Sequence, residues 1–181
     1  MTALAASSAN PAELPAEIAA YADAGWAVLP VHSVSNGRCS CGIPSCSSPG
    51  KHPRTKNGLL DATTDTALIA AWWRQWPSMN VGIAVPPNRV VVDVDGPEGM
   101  QALLDLDYEL PSTAIAETGR GYHAIYSTNE PVRPRVGVVD HVDLRGPGSY
   151  IVAPPSVHAS GKSYSWLVPL DVIVPAPHWV T

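Results

Sequence analysis

The sequence predicts an α+β domain assembled around antiparallel strands, and three observations lead there. Apolar runs at 80–85 and 89–95, and again at 113–117 and 122–127, are joined by the short turns Pro86-Pro87-Asn88 and Thr118-Gly119-Arg120-Gly121, which suit hairpins. Apolar residues recur at helical spacing in 15–24, 63–77 and 96–110. At 181 residues, 45% of them hydrophobic, the chain is long enough to bury one proper core, so a single domain is expected.

A flexible N-terminus is expected over residues 1–14. Ile18, Tyr21 and Ala22 mark the first helix, and Gly25 is placed to end it. Residues 26–31 read as a strand. Thr63-Thr64-Asp65 starts the second helix, whose apolar stripe is Leu68, Ile69, Trp72, Trp73 and Trp76 and whose stop is Pro77. The strands 80–85 and 89–95 are expected as antiparallel neighbours. In the third helix, 96–110, Met100, Leu103, Leu104 and Leu106 supply the buried face. Further strands are expected at 138–146, 150–153 and 164–166, and the Pro-containing run 171–181 reads as a linker edge.

No apolar run is long enough to cross a membrane. Residues 1–10 are Ala/Ser-rich without a basic region or an apolar stretch, so no signal peptide is read and a cytoplasmic protein is expected. A formal charge of −5 argues against a broad basic surface for nucleic acid, while leaving room for a local positive groove beside acidic metal sites. Phe is absent and there are six Trp and six Tyr, so aromatic packing must come from rings that carry a polar group.

The chain is organised around Arg89-Val90-Val91-Val92-Asp93-Val94-Asp95-Gly96. Side chains alternate along a strand, so Asp93 and Asp95 share one face while Val92 and Val94 point to the other. Two like charges on one face repel unless a cation sits between them, and Mg²⁺ or Mn²⁺ seeks oxygen ligands of this kind. For Asp95 a second reading stands: a cap for the helix that Pro97 opens. Capping does not explain Asp93, which lies inside the apolar run.

Residues 32–56 lack any period and hold all three cysteines. In a chain with no export signal these are unlikely disulfide partners, and Cys39, Cys41, Cys46 and His52 suit a tetrahedral, structural zinc site, with His32 as rival fourth ligand. The Cys-x-Cys spacing is tighter than the usual Cys-x-x-Cys. Lys51, Arg54 and Lys56 leave this loop as a local basic cluster.

His123 follows a Gly-Arg-Gly turn, which would place backbone N–H groups and a guanidinium near it, the surroundings a phosphate needs. The run 138–146 repeats the acidic pattern within β-branched residues, and Asp143 and Arg145 share a face there.

Three islands in order, Val-Asp93-Val-Asp95, Gly-Tyr-His123 and Val-Asp143-Leu-Arg-Gly, now stand together. With Trp72-Trp73 before Pro77, and Pro154-Pro155-Ser156 followed by Gly161 and Tyr164, the chain resembles the bifunctional primase-polymerase domain of the archaeo-eukaryotic primase superfamily, over roughly residues 15–170. That resemblance implies a primase-like fold: a small antiparallel sheet related to the RNA-recognition fold, with a flanking α/β unit framing a cleft and a zinc-stabilised loop inserted at 32–56. It implies that Asp93, Asp95 and Asp143 bind the catalytic Mg²⁺ or Mn²⁺ and that His123 contacts the incoming nucleotide. Arg145, Arg120, Lys51 and Ser156 are implied as further nucleotide-binding residues. Many superfamily members carry Ser two residues before the histidine, where this chain has Gly121.

The function so implied is template-directed synthesis and extension of primers by two metal ions, in replication of a phage, plasmid or integrated element. Single-stranded DNA, NTPs or dNTPs, and a downstream helicase would be the partners. Lys51, Arg54 and Lys56 could grip the template or a 5′ triphosphate. The rivals are a metal-dependent nuclease or phosphodiesterase using the same carboxylates, and a non-catalytic zinc-stabilised module that binds single strands or origins.

Overall fold

The computed structural model describes residues 13–181, so most of the expected flexible segment 1–14 lies outside the described residues. Helix α1 (Ala16–Asp23) buries Ile18, Tyr21 and Ala22 and ends where Gly25 takes the left-handed conformation, its N–H bonding to the Ala22 carbonyl. Strand β1 (Val28–Val31) follows, then the two-residue strands β2 (Val34–Ser35) and β3 (Arg38–Cys39). Helix α2 (Thr66–Gln75) is capped by the Asp65 carboxylate, which accepts from the N–H groups of Ala67 and Leu68. Ile69 and Trp72 are buried, with Trp73 and Trp76 packed beside them, but Leu68 is exposed.

Strands β4 (Asn80–Ala84) and β5 (Arg89–Val94) do not pair. This corrects the expected hairpin. β4 is the middle of a three-stranded antiparallel sheet, between β1 and β10 (Tyr150–Ala153). β5 is central to a six-stranded antiparallel sheet, between β7 (Tyr122–Ser127) and β9 (Val142–Arg145). Outward from these lie β6 (Ala114–Glu117) with β11 (Ser165–Val168), and on the other side β8 (Arg135–Val139). Pro86-Pro87-Asn88 is thus a corner between sheets. Val81, Ile83 and Val85 meet Val91, Ala114 and Ile125 across one core, which α1 and α2 close. Two apolar faces packed together bury more than an edge-to-edge hairpin would.

The opposite face of the six-stranded sheet, with Val90, Val92, Val94, Ala124, Tyr126 and Leu144, packs on helix α3 (Gly96–Asp105) through Leu103. Leu104 and Leu106, expected inside, are 64% and 52% exposed, so this buried face is narrower than the sequence suggests. The run 138–146 is not one strand: it turns back at Asp140-His141, with His141 at positive φ, to make the β8–β9 pair. The segment 171–181 is tied down, against its reading as a linker edge. Trp179 stacks on Tyr108 at 4.9 Å, Val180 is fully buried, and Ser127 exchanges hydrogen bonds with Val174 and Ala176. Among the described residues no helix is long and apolar enough to cross a membrane.

Candidate active site

Register on the central strands places three of the expected residues in one row. Asp93 on β5 stands opposite His123 on β7 and opposite Asp143 on β9. All three are brought to one side of the sheet because Val90, Val92 and Val94 commit the other side to the core under α3. His123 Nε2 lies 3.4 Å from Asp93 Oδ1, and Arg145 donates to Asp93 Oδ2 from Nη2 at 3.1 Å and Nε at 3.2 Å. Burial pushes the Asp93 carboxyl up, but His123 and Arg145 outweigh it and hold it at about 2. His123 is 7% exposed, and among the described residues its Nδ1 has no hydrogen-bond partner.

Asp95 stands at the N-terminus of α3, yet its side chain makes no capping hydrogen bond. Its carboxylate instead faces Arg120 at 3.4 Å, both side chains being more than half exposed. Asp93, Asp95, His123, Arg145, Lys51, Thr118 and Tyr164 line one cleft of about 610 Å³. Asp143 is not among its lining residues: Oδ1 accepts from the Gly137 N–H at 2.7 Å and Oδ2 from Arg145 at 2.6 Å.

Ser156 does not reach the cleft. It is 2% exposed and its hydroxyl accepts the Val81 N–H at 2.8 Å, so it fastens a loop to β4. Arg54 is likewise engaged, bonded to the Val31 carbonyl and the hydroxyls of Ser33 and Ser40, with its guanidinium 5.3 Å from the centre of the Trp76 ring. Its Nε and Nη2 are thus committed to neutral protein acceptors. Tyr164, which entered the sequence reading only as part of a motif, is buried against Leu29, Val31 and Val152 and also lines the cleft. Burial and the nearby Asp93 and Asp95 push its phenol up.

Ligand atoms of Cys39, Cys41, Cys46 and His52 all lie within 4.8 Å of one another, a donor set that can hold a metal ion. His52 Nε2 sits 3.3 Å from Cys39 Sγ and 3.5 Å from Cys46 Sγ. His32 is not part of this group. Its Nδ1 pairs with Ser40 Oγ at 2.9 Å and its ring lies tilted against that of His52, centroids 4.4 Å apart, while burial, with His52 and Arg54 beside it, lowers its pKa to about 4. Burial raises the Cys39 thiol, but the N–H groups of Cys41 and Gly50 and the neighbouring Cys41 and His52 side chains bring it down to about 6. The β2–β3 turn that presents Cys39 is Asn36-Gly37, both at positive φ. Asn-Gly is a hairpin signal that stands inside the aperiodic stretch 32–56.

Antiparallel sheets with few helices, and carboxylates beside a histidine on the central strands, accord with a primase-like fold. Residues 18–179, nearly the whole chain, match the family described as bifunctional DNA primase/polymerase, N-terminal, and the chain belongs to that family. No curated protein matches it.

Proposed function

We propose that this domain is a template-directed nucleotidyltransferase that makes DNA primers and extends them. The row of Asp143, Asp93 and His123 across three strands, with Asp95 beside it at the cleft, is the observation that carries this reading. The donor chemistry fits a hard divalent cation: Asp93 is held ionised, and Asp95 makes no capping bond. Asp93 and Asp95 would hold Mg²⁺ or Mn²⁺, and Asp143 would join them on release of its Oδ2 by Arg145. When bound, such ions lower the pKa of the attacking 3′-hydroxyl and stabilise the pyrophosphate leaving group.

The chain's own groups have separate tasks. His123, fixed against Asp93, presents its side chain to the incoming phosphates from a buried, preorganised position. Lys51, on the cleft wall, and Arg120, paired with the cleft residue Asp95, bring positive charge to where the polyphosphate accumulates negative charge. Zinc at Cys39, Cys41, Cys46 and His52 would order a loop that has little core of its own and so fix Lys51 at the cleft wall. A single-stranded template, nucleoside triphosphates and a helicase partner complete the proposal, in replication of a phage, plasmid or integrated element.

Labelled-nucleotide incorporation on single-stranded templates, with and without a primer, in Mg²⁺ or Mn²⁺, tests it. The wild-type chain should give products without a primer, and Asp93→Ala should reduce synthesis by at least about a hundredfold. Extension of primed templates alone would remove initiation from the claim. Nucleotide loss from DNA without a need for dNTPs would turn the reading to a nuclease, and binding with no synthesis to a non-catalytic module.

A further inference from the structure

We propose that His158 and Lys162 join Lys51 and Arg120 in a polyphosphate-binding subsite at the Asp95 end of the cleft, with His158 donating a hydrogen bond to it from Nε2. The identity of the ligand as a nucleotide's phosphates rests on the nucleotidyltransferase reading. The subsite itself rests on three features of the structure.

The first is a clamp. Asn80, 2% exposed, donates from Nδ2 to the carbonyls of Gly50 and Val157, both at 2.9 Å, and its Oδ1 accepts the Val157 N–H at 2.9 Å. Three hydrogen bonds from one buried amide hold two distant loops together. Lys51 and His158 are the next residues along each loop, so their convergence is built in.

The second is the seating of the His158 ring. It lies directly over Gly119, where any Cβ would collide with it, and 6.3 Å from the ring of Tyr164, which lines the cleft. The turn beneath it is closed by His158 N–H to the Lys162 carbonyl and Gly161 N–H to the His158 carbonyl. Nδ1 accepts the Ser160 N–H at 3.1 Å and lies 2.9 Å from Ser160 Oγ. An Nδ1 that accepts a backbone proton puts the neutral ring's hydrogen on Nε2. Among the described residues that Nε2–H has no hydrogen-bond partner.

The third is charge. Arg145, which also lines the cleft, is occupied by two carboxylates. Lys51 and Lys162 have no ion pair among the described residues, and Arg120 has only the exposed contact to Asp95. Burial and then Lys51, Arg120 and Lys162 lower the His158 pKa, with Asp95 opposing. Uncompensated cations around a neutral donor suit an anion with several charges spaced along it.

Two measurements test the subsite: calorimetric binding of inorganic tripolyphosphate without divalent metal, and steady-state incorporation of dATP on a primed oligo-dT template. His158→Ala should weaken tripolyphosphate binding about tenfold and raise the KM for dATP by a similar factor, with kcat little changed. His158→Gln, whose amide can place an N–H near the Nε2 position, should recover most of the loss, and Lys162→Ala should weaken both about threefold. Unchanged tripolyphosphate affinity in a His158→Ala protein with wild-type melting temperature would overturn the proposal. So would a fall in kcat at constant KM that His158→Gln does not rescue, which would make His158 a structural residue. If the wild-type chain incorporates no nucleotide, the polymerase reading fails, and the tripolyphosphate titration still decides the subsite.

Discussion

Asp93 and Asp143 face each other across the β5–β9 ladder and share one guanidinium, with Arg145 Nη2 at 3.1 Å from the first and 2.6 Å from the second. Adjacent carboxylates repel unless a cation lies between them, and in this structure an arginine fills that role. Arg145 therefore neutralises the acids here. The sequence shows only that Asp143 and Arg145 point the same way, and nucleotide binding by Arg145 is what the family resemblance implies.

Acid stability should report this pairing. The folded Asp93 carboxyl, at about 2, lies below its ordinary 3.8, so its stabilisation is complete above about 3.8 and is lost as pH falls through about 2. Urea midpoints measured from neutral pH down to about pH 2 should show the advantage of wild type over Asp93→Asn shrinking across that window. A constant difference would mean that the ion pairs do not form in solution.

Metal at the cysteine cluster should be separable from catalysis. Cys39→Ser, Cys46→Ser or prolonged chelation should remove bound zinc, read by elemental analysis, and lower the melting temperature. Primer-independent initiation should then fall further than extension of an existing primer. Equal loss of both would leave the loop with a purely structural part.

Gly121 should resist the serine common among superfamily members. A Cβ at this position would run into the Val94 carbonyl and meet the Gly96 nitrogen at 2.8 Å, because the β6–β7 turn packs directly on the end of β5. Gly121→Ser should cost about 1–3 kcal/mol in urea denaturation. A neutral result would show that the turn can move away from β5.

Much of this site is legible in the sequence because it depends on alternation. The common face of Asp93 and His123 follows from period-two patterning on strands whose other side is committed to the core. What the pattern lacks is partner choice. Pro86-Pro87-Asn88 reads as a hairpin turn, and only the burial of Val81, Ile83 and Val91 across one core shows it to be a corner. Helical spacing similarly assigns Leu103 and Leu104 one stripe, whereas α3 meets the sheet along a line that only Leu103 reaches fully. Ser156 and Arg54 carry functional chemistry on paper, but both are spent on backbone and hydroxyl partners that no local pattern reveals.

Because β5 is flanked by strands that arrive much later in the chain, the order of assembly is constrained. His123 and Asp143 reach Asp93 only after loops of 30 and 50 residues have closed, contacts of the kind that form slowly and give nothing until nearly complete. A nascent or clipped chain ending before β9 would still own the Asp-Val-Asp strand and its histidine neighbour, but neither the third acid nor the arginine that quiets the pair. The row of Asp143, Asp93 and His123 is therefore a property of the finished fold, incomplete in any chain that ends before β9.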